Sequence, residues 1–279
     1  MGKERYYKKQ AKEILGFFVK LLLGLVVIFP LVYGVCLSFM GMSDIFRMPP
    51  VLISENMSLD NYKEVFSRVP MLTYFKNTLL VSGIQVGAQI ITASFAAYAF
   101  TFFEFKGKKV LFALILATLM IPYESNLISN YLTICSLKLT DTYAGLTLPF
   151  LASGMSIFIL RQFYMTIPRE LKEAATIDGC GHMNFLFKIA FPISKPATAS
   201  LGIYAFVNAY NQYFWPLLVT NKDSMRTIQV GTGILKDSEG ANYGLVLAAA
   251  MLAIIPAVII FVFGQKSLVK GMVAGAVKG

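Results

Sequence analysis

Charge, histidine and cysteine are all scarce in this chain of 279 residues. Only 14% of its residues are charged, 56% are apolar, and mean hydropathy is +0.64. Soluble chains carry about 25% charged and about 45–50% apolar residues. So few charges cannot cover a water-facing surface of this size, which excludes an ordinary soluble domain. One histidine, His182, leaves no material for a His-based metal site or a Ser-His-Asp triad. Three widely spaced cysteines, Cys36, Cys135 and Cys180, make neither a disulfide framework nor a metal-ligand spacing. No stretch reads G-x-x-x-x-G-K-[ST] or H-E-x-x-H, so a P-loop and a zinc-protease helix are both absent. The remaining class is an integral membrane protein.

What the chain has is apolar length. A bilayer core about 30 Å thick takes roughly 20 apolar helical residues. Charge-free runs of that size occupy 21–40, 77–103, 142–160, 196–221 and 240–265. A sixth run, 110–132, is interrupted by Glu124. The pattern predicts an all-α fold with six spans, the count resting on that sixth run. Lys3, Arg5, Lys8, Lys9 and Lys12 precede the first run. That run exceeds the ~7–15 residues of a signal-peptide core and no small-x-small site follows, so it is read as a retained anchor behind a cytoplasmic segment 1–20.

With 1–20, 104–109, 161–195 and 266–279 inside, 17 of the 25 basic and 6 of the 15 acidic residues are cytoplasmic. The outside then keeps 8 basic and 9 acidic residues, and this asymmetry predicts both termini inside. Basic residues spread over four membrane-flanking segments do not form a nucleic-acid groove, so no nucleic-acid partner is expected. The cytoplasmic segment 161–195 is the longest on that side and offers a soluble partner the most to hold.

In that segment Pro168 suits the first turn of a helix, with Thr166 as candidate cap and Glu170 in the first turn. Residues 169–178 favour helix, and Gly179 stops them as a glycine in the left-handed conformation does. A second helix over about 183–191 spaces Phe185, Ile189 and Pro192 before Pro192 breaks it. Ala174 and Ala175 make a small face beside Glu173, where another surface can come close and a basic residue can meet the carboxylate. An amphipathic hairpin lying on the inner leaflet has the same periodicity.

Glu173-Ala174-Ala175, three residues, Gly179, nine residues, Ile189, one residue and Phe191-Pro192 resembles the EAA motif of ABC importer permeases. The spacing matches throughout, with Phe191 for the usual Leu and Cys180 where many relatives carry Ala. The resemblance runs from about Asn61 to the C-terminus, and it is densest in 143–192, 211–218 and the tail 266–279. The chain is similar to the second permease of carbohydrate importers of the maltose and glycerol-3-phosphate type. The resemblance implies the type I importer fold and a non-catalytic transmembrane subunit of a bacterial or archaeal cell membrane. It implies a sugar-like solute moved by alternating access. It also implies three partners: a second homologous permease in a heterodimer, an ABC ATPase dimer, and an extracytoplasmic solute-binding protein. ATP and Mg²⁺ would be used by the ATPase, with no cofactor on this chain. Glu173, Ala174, Ala175, Asp178, Gly179, Ile189 and Pro192 would form the ATPase-coupling hairpin. The outer loop 221–239, holding Gly231, Thr232 and Gly233, matches one that reaches into the binding protein in relatives.

Polar residues recur inside two runs. Thr78, Ser82, Gln85, Gln89 and Thr92 line one helical face, as do Tyr204, Asn208, Asn211, Gln212 and Trp215. Amides avoid hydrocarbon and turn to other helices or to water-filled cavities. Gln85, Gln89, Asn208, Asn211, Gln212 and Trp215 are therefore candidates for a translocation pathway. Interhelical bonding as packing, about 0.6 kcal/mol per contact, competes with that reading, more strongly for Gln85 and Gln89. Trp215 also suits an interfacial anchor. Glu124 marks a span boundary or an outer gate, and His182 reads as a solvated residue of the cytoplasmic loop. The rival class is an ion-coupled secondary transporter. It would normally carry an acid, base or histidine within a span, and the charge-free runs hold none.

Overall fold

Proline decides only some of the helix boundaries in this chain. The computed structural model describes residues 2–237 and 242–276; Glu239 and Gly240, at the ends of the expected outer loop and last span, and 277–279 of the tail lie outside the described residues. Among the described residues the secondary structure is helical, with no strand. The chain divides into two compact units, Met1–Val69 with Thr232–Leu252, and Pro70–Gly231 with Ala253–Gly279.

The first unit holds α1 (Gly2–Ser38), α2 (Met42–Ile45) and α3 (Asp60–Arg68). Pro30 lies inside α1 without ending it, as membrane helices permit. Residues Lys12–Ser38 are long and apolar enough to cross a bilayer, and none of their most apolar stretch is buried within the protein. Such a surface has to be covered by lipid or by another chain. The segment 41–73 between the first two apolar runs folds into α2, α3 and the start of the next helix. Its anchor is Asn61, whose amide donates to the Ser38 and Met40 carbonyls at 2.9 Å each.

The second unit is built on α4 (Met71–Phe102), the proline-free helix of 32 residues. It starts six residues before the apolar run and packs chiefly against α8 and α12. After it come α5 (Lys108–Thr118), α6 (Tyr123–Ser136), α7 (Tyr143–Thr147) and α8 (Gly154–Tyr164). Next are α9 (Arg169–Ile177), α10 (His182–Phe185), α11 (Phe191–Ile193), α12 (Lys195–Tyr210) and α13 (Phe214–Val219). The core clusters Ala93, Ala97, Leu160, Tyr164, Phe185 and Leu201. Alanines on α4 let neighbouring backbones approach where lipid supplies no hydrophobic drive between helices.

Two expected spans are bent. The run 110–132 becomes α5 and α6, turned by 94° between Thr118 and Tyr123. Pro122 is responsible: it has no N–H to donate, disfavours helix at Ile121, and serves as N-cap of α6. Glu124 accordingly sits in the first turn of α6, where a carboxylate complements the helix dipole. The run 142–160 bends by 49° between Phe150 and Gly154, and Ser153 caps the new helix by accepting from the Ser156 N–H. The run 196–221 divides into α12, of 16 residues, and α13.

The last helices are α14 (Ile228–Asp237) and α15 (Tyr243–Ala276), the latter running through Pro256. Gly231, Thr232 and Gly233, expected in an outer loop, are helical residues of α14. A Cβ on Gly231 would stand 2.2 Å from the Tyr74 ring, so glycine there serves close packing of α14 on α4, not loop freedom. That contact outweighs the cost of a helical glycine, about 1 kcal/mol.

Candidate functional site

The 165–192 hairpin has its first helix start at Pro168, which is extended (φ −58°, ψ 138°) and is the N-cap of α9. Thr166 does not cap α9. Its hydroxyl donates to the Phe163 carbonyl and closes the preceding helix. At the other end Asp178 is the C-cap and Gly179 takes φ +76°. The Gly179 N–H donates to Thr176 and the Cys180 N–H to Ala175, at 3.0 and 2.8 Å. These two bonds are the Schellman closure, which satisfies helix-end carbonyls only with the intervening residue left-handed.

The small face of α9 divides. Ala175 is 7% exposed and belongs to the core, whereas Glu173, Ala174 and Asp178 face out. Ile177 stands beside them at 87% exposure, a bare apolar side chain at the hairpin tip. Lys172 lies over the Phe185 ring at 4.8 Å and fastens α9 to α10.

Pro192 does not end the second helix. Leu186–Ala190 form a π-turn, in which the Phe191 N–H reaches back five residues to Leu186. This wider turn leaves room for a residue with no N–H, and Pro192 follows within α11. Only a turn at Ser194 then separates the hairpin from α12, while Ile189 packs on the core. His182 is not simply solvated: its Nδ1 is 3.0 Å from the Tyr98 hydroxyl and its ring centroid 4.6 Å from that of Phe103. It ties the hairpin to the C-terminal end of α4.

A second constellation lies within the same unit. A cavity of about 520 Å³ is bordered by Gln85 and Gln89 of α4, Asn126 and Asn130 of α6, and Tyr204, Asn208 and Gln212. A neighbouring one of about 360 Å³ adds Asn211 and Trp215 and shares Tyr123, Asn208 and Gln212. Among the described residues no Asp, Glu, Lys or Arg lines either cavity. Gln85 and Gln212 exchange hydrogen bonds in both directions at 3.2 Å. Gln89 donates to the Phe150 carbonyl and accepts from the Ser156 hydroxyl, both at 2.9 Å. Trp215 is 1% exposed, donates its indole N–H to Gly145 and meets Phe150 edge-on, so most of it is core.

Sequence reasoning missed Asn126 and Asn130. The available signal was their spacing of four directly after Pro122, which places both on one face of α6. It also missed Asn77, whose amide donates to the Ser224 and Arg226 carbonyls while its oxygen accepts from Tyr143.

Also in the second unit, Asp141 adopts φ +56° and clips two loops together. Its carboxylate accepts from the backbone N–H groups of Asn221 and Lys222, at 2.6 and 2.9 Å. The Lys222 bond, more than any other influence, holds this carboxyl below the usual carboxylate range.

Residues 89–273 match the family described as binding-protein-dependent transport system inner membrane component. The arabinooligosaccharides transport system permease protein AraQ of Halalkalibacterium halodurans is 31% identical, over 98% of this chain and 100% of its own length. The sn-glycerol-3-phosphate transport system permease protein UgpE of Rhizobium meliloti is 37% identical, over 95% of this chain and 98% of its own. A chain from the crystal structure of a bacterial ABC transporter involved in import of the acidic polysaccharide alginate superposes with a TM-score of 0.80 at 22% identity, covering 92% of this chain and 97% of that one. At that identity the likeness is one of fold.

Proposed function

This chain belongs to the family of binding-protein-dependent transport system inner membrane components, and on that premise we propose that it is one permease of an ATP-driven importer for sugars or sugar-like solutes in a bacterial or archaeal cell membrane. The chain itself is non-catalytic. It pairs with a second homologous permease, an ABC ATPase dimer binds ATP and Mg²⁺ below, and a solute-binding protein delivers solute from outside. The topology is six spans with both termini cytoplasmic. It is reached by α1, α4, α15, the bent pairs α5–α6 and α7–α8, and α12 with α13.

The hairpin 165–192 is the handle the ATPase grips. Glu173 and Asp178 offer carboxylates to basic side chains there, Ala174 allows close approach, and Ile177 supplies apolar contact. Ala175, Gly179, Ile189 and Pro192 hold the shape of the handle from within. The observation that carries the reading is continuity. The Schellman-closed hairpin runs through the π-turn into α12, and α12 presents Tyr204 and Asn208 to the polar cavity. A rigid shift of the hairpin is therefore passed to a cavity wall, which is what alternating access needs. His182 on Tyr98 passes the same shift to α4.

An ion-coupled secondary transporter is disfavoured by a cavity that, among the described residues, is lined without Asp, Glu, His, Lys or Arg. The test is uptake into vesicles holding the assembled complex, with and without internal ATP. Uptake should require ATP, and Glu173→Ala should lower it tenfold or more while the protein still inserts. Uptake that continues without ATP, or wild-type uptake by the Glu173 variant, refutes the reading.

A further inference from the structure

The amides of the 520 Å³ cavity differ in what they are already bonded to. Gln89 has both ends of its amide engaged by Phe150 and Ser156. Gln85 and Gln212 engage each other, and Gln85 also donates to the Leu146 carbonyl. These three are held by bonds within the protein and offer a solute only the donors and lone pairs that those bonds leave over. Asn126 and Asn130 are different: neither side chain hydrogen-bonds to any described residue. The Tyr204 hydroxyl is equally free, and Asn208 uses its N–H on the Tyr204 carbonyl while its oxygen stays open.

Free polar groups on membrane-spanning helices are tolerated where they meet water or a ligand and not where they meet lipid. An asparagine offers two donors and two acceptor lone pairs, and so complements a hydroxyl, which both gives and takes a hydrogen bond. The rings of Tyr123 and Phe150 border the same space and suit the C–H faces of a sugar. A carboxylate or phosphate would find neither guanidinium nor ammonium in this wall to replace its hydration.

We infer that the solute passing this chain is an uncharged, polyhydroxylated molecule. Asn126 and Asn130 of α6 contact it on one side, and Tyr204 and Asn208 of α12 on the other. The inference rests on the transport reading above and adds to it the solute class and the contact residues on α6.

The assembled importer in proteoliposomes tests it, with ATP-dependent uptake measured for neutral pentose and hexose trisaccharides, sn-glycerol 3-phosphate and a uronate trisaccharide. A neutral trisaccharide should be carried, and both anions at least tenfold more slowly. Asn126→Asp and Asn130→Asp, close to isosteric, should each cut neutral uptake tenfold or more at an unchanged thermal midpoint. If the midpoint falls, the paired variant Asn126→Ala, Asn130→Ala is read in their place. An anion carried as fast as the best neutral probe, failure to carry any neutral probe, or wild-type uptake in the α6 variants overturns the inference. Neutral uptake driven by an ion gradient without ATP would instead overturn the transport reading and leave the solute class standing.

Discussion

Gly179 allows backbone conformation and side-chain volume to be separated in one experiment. Its φ of +76° permits the two bonds that close α9, and a Cβ built there meets no atom within 4 Å. Replacing it therefore costs conformation, not space. A non-glycine residue in the left-handed region costs roughly 1–2 kcal/mol, less for Asn, whose short polar side chain tolerates it. That corresponds to a loss of about 5–30-fold in the population of the closed turn. The variants Gly179→Asn, Gly179→Ala and Gly179→Val should lose coupled transport in that order, Asn least and Val most, with β-branched Val at the severe end. The assay is solute carried per ATP hydrolysed in proteoliposomes. If Ala is milder than the larger Asn, side-chain volume against the ATPase controls coupling and the backbone argument fails.

Two further perturbations test other contacts. Gly231→Ala places a methyl 2.2 Å from the Tyr74 ring and should destabilise by about 1–3 kcal/mol, read as a lower thermal midpoint. The loss should largely vanish in a Tyr74→Ala background, and an equal loss there refutes the packing account. Asp141 has a lowered carboxyl pKa in the folded protein, so its contribution is complete above the ordinary carboxylate value of about 3.9 and disappears as pH falls through the lowered value. Asp141→Asn should shrink the drop in thermal midpoint between about pH 6 and about pH 3, and an unchanged drop refutes the clip.

Local features of the hairpin were legible in the sequence. Gly179 reads as a helix stop because glycine alone takes a left-handed residue without strain, and it takes that role here. Pro192 was misread as a break, since the π-turn that accommodates it depends on Leu186, Ala190 and their packing, not on the proline. Gly231, Thr232 and Gly233 were misread as loop for a related reason: glycine content is the same whether it frees a turn or admits a tyrosine ring. His182 looked solvated because its partner, Tyr98, is 84 residues away. In the cavity, Gln85 and Gln89 were recognisable as polar positions, but which amides are occupied and which are free was not.

The sequence by itself determined a membrane-embedded helical chain, its apolar runs and the hairpin motif. These depend on side-chain transfer energies and backbone preferences that act within a few residues of one another. Tertiary structure alone decided that two runs bend, that Gly231 serves packing, and that Asn126 and Asn130 face a cavity while Gln85 is held by Gln212. Those outcomes depend on hydrogen-bond partners and close contacts up to 127 residues apart for the Gln85–Gln212 pair, and no local window of sequence contains both members.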